Sequence, residues 1–146
     1  REQKDIRAVL GGIADGTIDC IITDHAPHAA EEKADFMKAP NGVVGLETSF
    51  AACYTYLVKT GATSLRRLVE MMSETPASRL GIPGGCLEEG GPADIAIADP
   101  EMKWTVDPAK LHSKSKNTVF KGMTLQGKVV TTLCRGEIVY NLEDEM

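Results

Sequence analysis

An aspartate followed closely by two histidines is a combination that can hold a metal ion and move a proton. Asp24, His25 and His28 form such a group within Thr23-Asp24-His25-Ala26-Pro27-His28. A carboxylate beside a divalent cation stays ionised, yet it can still receive a proton in a transition state. The plainer reading of the same residues is a turn that carries ordinary exposed polar side chains. What must position them is the stretch just before, Ile18-Asp19-Cys20-Ile21-Ile22-Thr23. This short β-branched run reads as one buried strand of a parallel α/β sheet. Such sheets and barrels place their chemistry outside the carboxyl ends of the strands, where Asp24 falls. Pro27 stops the chain from continuing as strand or helix, so the polar group lies on a loop.

The neighbouring elements follow from periodicity. Ile6, Val9, Leu10 and Ile13 recur at helical spacing, and Gly16 suits a left-handed cap, so a helix feeds directly into the strand. From Ala29 to Gly45 the chain is polar and irregular, and a loop of that length typically covers a site. Within it Pro40, Asn41 and Gly42 are turn formers, and by themselves they suggest a plain surface turn. Leu46, Phe50, Cys53, Tyr54 and Leu57 mark a second helix ending near Gly61, with Glu47 in its first turn as a structural residue. Ser64 caps a third helix, and Thr75-Pro76 opens a short further turn closed by Gly81. Met71 and Met72 read as core filling. Beyond Gly84-Gly85 the pattern changes to short strands: Asp94 to Ala98, Trp104 to Val106, and a hairpin of Lys128 to Leu133 and Glu137 to Tyr140 around Arg135-Gly136. The tail, Glu143 to Glu145, reads as frayed. A boundary near Gly81 therefore divides a helical 1–81 from an antiparallel 82–146.

Composition excludes some classes. The 146 residues are 42% hydrophobic and 25% charged with a net charge of −5, ordinary for a globular protein and unsuited to nucleic acid. Lys110, Lys114, Lys116 and Lys121 cluster without interleaved aromatics and read as a solvated loop. Cys20, Cys53, Cys86 and Cys134 are far apart, without a C-x-x-C pair, which predicts free thiols. No signal peptide and no membrane-spanning apolar run is evident, which predicts a cytoplasmic protein without membrane partners. The chain starts at Arg1 rather than Met, almost directly in a helical pattern, and this predicts a piece of something longer.

With these motifs placed, the chain resembles dihydroorotase of the amidohydrolase superfamily, in its carboxyl-terminal portion. The resemblance lies in Thr23 to His28, Glu31-Glu32-Lys33, Ala39 to Thr48, Thr75-Pro76-Ala77-Ser78-Arg79, Gly91-Pro92-Ala93-Asp94 and Ser113-Lys114-Ser115-Lys116-Asn117-Thr118. It implies the end of a (β/α)8 TIM barrel over residues 1–81, with Ile18 to Thr23 as the last barrel strand. Residues 82–146 would form part of a small β-sandwich. It also implies zinc-dependent, reversible closure of N-carbamoyl-L-aspartate to dihydroorotate in pyrimidine biosynthesis. Asp24 matches the family's catalytic aspartate, a metal ligand that carries the proton from the nucleophile to the leaving nitrogen. His28 matches the position that binds the substrate carboxylate, and Asn41 and Gly42 match loop positions whose backbone contacts the ring. His25 is then a second-shell or structural histidine, and His112 an exposed loop residue.

One departure limits what this chain does alone. The family builds its zinc site from an early His-x-His, a bridging carboxylated lysine or aspartate, and two further histidines. This chain has three histidines, none in His-x-His, and Arg1 coincides with the end of an upstream Asn-Pro-Pro-Leu-Arg motif. Asp24 by itself is too few ligands for zinc, which takes three or four. The expectation is an enzyme fragment that is inactive when isolated and self-associates through unpaired strand edges. Its parent would be a homo-oligomer, with aspartate carbamoyltransferase as a possible partner. The alternatives are a non-catalytic assembly module, or a cyclic amidase of the hydantoinase or allantoinase type.

Overall fold

A computed structural model describes residues 2–145. Helix α1 spans Gln3–Asp15 and is closed by Gly16 at φ 84°, the left-handed cap that its glycine permits. At its start the Glu2 N–H donates to the Asp5 carboxylate at 2.8 Å, satisfying one of the orphan donors of a helix terminus. Ile13 is buried, whereas Ile6 and Val9 on the same apolar stripe stand about half exposed.

The expected strand Ile18 to Thr23 is not formed. These residues run without regular secondary structure, and the segment is only half-buried, with Ile22 exposed. The reason is physical: a strand exists through its ladder, and this run finds no neighbouring strand among the described residues. Three contacts hold it instead, the first being the Ile18 N–H on the Gly12 carbonyl at 2.8 Å. The Ile21 N–H donates to the Met71 carbonyl at 2.9 Å, and Arg79 forms an ion pair with Asp19.

Helix α2, Ser49–Cys53, continues as a π-helical turn, Tyr54–Val58. It starts three residues later than the apolar pattern suggests, which leaves Leu46 and Glu47 in the preceding turn. Helix α3, Leu65–Val69, is capped by the Ser64 hydroxyl, which accepts from the Arg67 N–H. It runs through a π-helical segment, Glu70–Glu74, straight into α4, Thr75–Leu80. The third helix and the short turn after it are thus one helical run, with Pro76 at the junction where the π-helical segment gives way to α4. Gly81 ends it at φ 64°. Leu68 and Met71 are fully buried, as core filling requires.

The second part is a three-stranded antiparallel sheet in the order β1-β2-β3. Its strands are β1 (Ile95–Thr105), β2 (Thr124–Cys134) and β3 (Glu137–Asn141). Two strands expected at Asp94 to Ala98 and Trp104 to Val106 are one bulged strand. Register shifts at Ile97/Ala98 and Asp99/Lys103 absorb Pro100, which could not sit in a regular ladder. The β2–β3 hairpin turns at Arg135 (φ 53°) and Gly136 (φ 83°), the two positive angles a tight right-twisted hairpin needs. The tail forms a 3-10 turn, Leu142–Glu145, where fraying was expected.

Helix α2 packs directly on β2. Ala51 and Ala52 let the helix approach, and they share a core with Val106 and Leu125, flanked by Trp104 and Phe120. Gly127 completes the fit, since a side chain there would press on the Phe50 and Tyr54 rings. Thr55 locks the register: its hydroxyl accepts from the Gln126 N–H at 2.8 Å and donates to the Gln126 carbonyl at 3.2 Å.

Candidate functional site

The segment held by Met71 and Arg79 delivers Asp24 at a backbone turn. Asp24 adopts φ 44°, a left-handed angle that a short polar side chain tolerates better than a branched one. Its side chain is exposed and makes no hydrogen bond or ion pair among the described residues. The turn sends His25 alongside Val43 in a single parallel bridge, with the Ala26 N–H donating to the Val43 carbonyl at 2.9 Å. His25 Nδ1 accepts from the N–H groups of Gly45 (3.1 Å) and Leu46 (3.4 Å). An accepting Nδ1 carries no proton, so His25 is the Nε2–H tautomer and works as a strut for the 43–46 backbone. The structural reading of His25 holds.

His28, Asn41 and Gly42 come together. His28 Nε2 lies 3.1 Å from the Asn41 carbonyl, and because a carbonyl only accepts, the proton is on Nε2. The other ring nitrogen faces Glu32 at 3.7 Å. Glu32 is itself fixed by the Ala29 N–H at 2.8 Å. Gly42 sits at φ 108°, where a Cβ would lie 2.5 Å from that of Ala26, so only glycine lets these two loops touch.

Every carbonyl from residue 40 to 43 is turned inward. Lys33 Nζ donates to the carbonyls of Pro40 and Gly42, the latter at 2.8 Å. Asn41 is taken by His28, and Val43 by Ala26. The N–H groups of Asn41 and Gly42 meet no acceptor among the described residues. This loop is therefore organised to donate, and it suits a ligand with carbonyl or carboxylate oxygens. Lys33 was noted in the sequence only as part of Glu31-Glu32-Lys33; its role as a donor to carbonyls seven and nine residues on has no local signal.

A second loop backs the first. The Glu47 carboxylate accepts from the N–H groups of His112 (2.8 Å) and Ser113 (3.0 Å) and contacts His112 Nδ1 at 3.1 Å. Glu47 is thus structural, as expected, but through this clamp and not through a helix dipole. His112 is an exposed loop residue, yet its ring is held by Glu47 and stands edge-on to Tyr140.

Comparison with known proteins places this arrangement. The model of the amidohydrolase family matches residues 1–139. The chain belongs to the amidohydrolase family. It is 50% identical over 141 residues to a dihydroorotase of Anaeromyxobacter sp. (strain K), covering 96% of this chain and 32% of that protein. A dihydroorotase of Listeria innocua is 50% identical over 142 residues, covering 97% and 33%. Among solved structures, a D-hydantoinase from a Bacillus sp. AR9 superposes with TM-score 0.87 at 28% identity, over 97% of this chain and 32% of that one. An L-hydantoinase (dihydropyrimidinase) from Arthrobacter aurescens gives 0.84 at 36%, over 97% and 33%. The chain spans about a third of the length of the curated relatives it matches.

Zinc does not fit this amidohydrolase chain taken alone. No three His, Cys, Asp or Glu side chains among the described residues gather so that they could hold a metal ion. His25 and His28 each commit a nitrogen to the backbone, which leaves Asp24 as the donor best placed to be shared. All four cysteines are free, and burial pushes the Cys53 thiol up, away from metal-binding thiolate. No helix of the described residues is long and apolar enough to cross a membrane.

The Glu47 clamp has a pH signature. Burial works to raise its pKa, but the His112 and Ser113 N–H groups and the His112 ring together outweigh burial and lower it. A carboxylate lowered by folding stabilises the native state above its unfolded pKa, and that contribution is lost as the pH falls through the folded one. Glu47→Gln is expected to cost about 1–2 kcal/mol at pH 7. It should also flatten the loss of stability below about pH 4.3, the ordinary glutamate value. Urea unfolding of both proteins across that range is the check; parallel curves would remove the clamp from the account.

Proposed function

We propose that this chain is the carboxyl-terminal third of a dihydroorotase that interconverts N-carbamoyl-L-aspartate and dihydroorotate. The observation that carries the reading is 50% identity with dihydroorotases along nearly the whole chain. The donor-rich 41–42 backbone supports it, because dihydroorotate offers ring carbonyls and a carboxylate. In this reading residues 1–81 close a (β/α)8 barrel, with Ile18 to Thr23 as its last strand once neighbours supply a ladder. Residues 82–146 contribute to a β-sandwich.

Ring opening adds water across an amide bond: oxygen goes to the carbonyl carbon, and a proton must reach the leaving nitrogen. Asp24 is assigned that transfer, taking the proton on a carboxylate oxygen and releasing it to the nitrogen as the C–N bond breaks. His28 is assigned to the substrate carboxylate, its Nε2–H turning to it from the Asn41 carbonyl, and the Asn41 and Gly42 backbone orients the ring. Zinc belongs to the proposal for the whole protein, with Asp24 offering one ligand and the rest lying outside the described residues. Assembly as a homo-oligomer, association with an aspartate carbamoyltransferase and a cytoplasmic setting belong to it too.

The second reading, a hydantoinase or dihydropyrimidinase, draws on the structural neighbours. The two are separated by assaying the full-length protein that contains this chain, loaded with zinc, on dihydroorotate, hydantoin and 5,6-dihydrouracil. The expected result is a kcat/KM for dihydroorotate at least about 100-fold above the others, because only it fills the carboxylate contact. A preference for the uncharged rings would establish the second reading. No turnover at all would favour a non-catalytic assembly module. The isolated 146-residue chain is expected to show no activity on any of them.

A further inference from the structure

Asn117 reaches from the backing loop into the loop that carries Asn41 and Gly42. Its side-chain amide donates to the Gly42 carbonyl at 3.0 Å, and its own carbonyl accepts from the Val44 N–H at 2.9 Å. Because the Gly42 oxygen only accepts, the group facing it is Nδ2. Lys33 Nζ takes the same oxygen at 2.8 Å, so two donors from different parts of the chain share it. Two donors on one carbonyl fix the plane of the peptide between Gly42 and Val43, where a single donor would leave it free to rock.

Asn117 is held for this task. Its N–H donates to the buried Ser115 hydroxyl at 3.3 Å, and the start of its loop is clamped by Glu47 through His112 and Ser113. The loop is thus fastened at both ends to residues 42–47. We propose that Asn117 is a positioning residue for substrate: by holding the Gly42 carbonyl it fixes the end of the turn from which the Gly42 and Asn41 N–H groups, one and two peptides upstream, are presented. This rests on the functional reading above. Asn117 has no contact with Asp24, so the bond-breaking step does not depend on it.

The test is steady-state kinetics of the full-length, zinc-loaded protein and its Asn117→Ala and Asn117→Asp variants on dihydroorotate. The alanine variant loses only the side-chain donor, since the bond to Val44 uses the backbone. The aspartate variant keeps the shape and sets an acceptor against an acceptor. KM is expected to rise about 10-fold or more for both, with kcat within about 3-fold, and more for aspartate than for alanine. An unchanged KM, or a loss confined to kcat, overturns the proposal. Failure of both variants to fold, read by thermal unfolding, assigns Asn117 to stability alone and overturns it as well. A wild-type protein without turnover is a different failure, visible before any variant is measured, and it removes the functional reading itself.

Discussion

Asp24→Asn in the full-length protein is expected to lower kcat on dihydroorotate by about 10²–10⁴-fold while KM stays within a few-fold. The amide keeps the size and one acceptor oxygen of the carboxylate but cannot take up a proton. Asparagine also tolerates the left-handed angle of Asp24, φ 44°, so the backbone turn survives and the loss is chemical. Asp24→Ala confounds the two, because alanine has no polar side chain to ease that angle. A variant that retains wild-type kcat would overturn the proton-carrier role proposed for Asp24, whatever else the protein does.

Gly42→Ala is the second large effect. The angle of 108° lies where L side chains are rarely found, and the new Cβ would sit 2.5 Å from the Ala26 Cβ. Strain of this kind costs about 1–3 kcal/mol, and the chain relieves it by moving the 40–43 loop. That movement disturbs the Asn41 carbonyl on His28 and the Val43 carbonyl on the Ala26 N–H together. KM should rise about 10–100-fold, since misplacement by an ångström is enough for such a change. The Ala26→Gly substitution, made in the same protein, removes the atom that is struck and should restore part of the loss. If the double variant is no better than Gly42→Ala alone, the steric account is wrong and only backbone strain remains.

Much of this was legible in the residues themselves. Helix α1 with its Gly16 cap, the Ser64 cap of α3 and the Arg135-Gly136 hairpin are local events, decided within a few residues by periodicity and glycine conformation. Asp24, His28, Asn41 and Gly42 stood out in the sequence as candidate residues, and the structure brings the last three close together.

What the residues alone could not decide depends on partners distant in the chain. Ile18 to Thr23 has the composition of a strand, but a strand needs a ladder, and only tertiary neighbours provide one. The bulges that merge two expected strands into β1 are set by pairing with β2. Lys33 and Asn117 meet on one carbonyl although they are far apart in the chain, and no local pattern announces such a meeting. The clamp from Glu47 to His112 spans 65 positions in the same way. Composition and spacing determined which side chains this protein has for chemistry. The tertiary structure decided which backbone groups remain free to use them, because each buried or shared carbonyl must find its donor wherever the fold brings one.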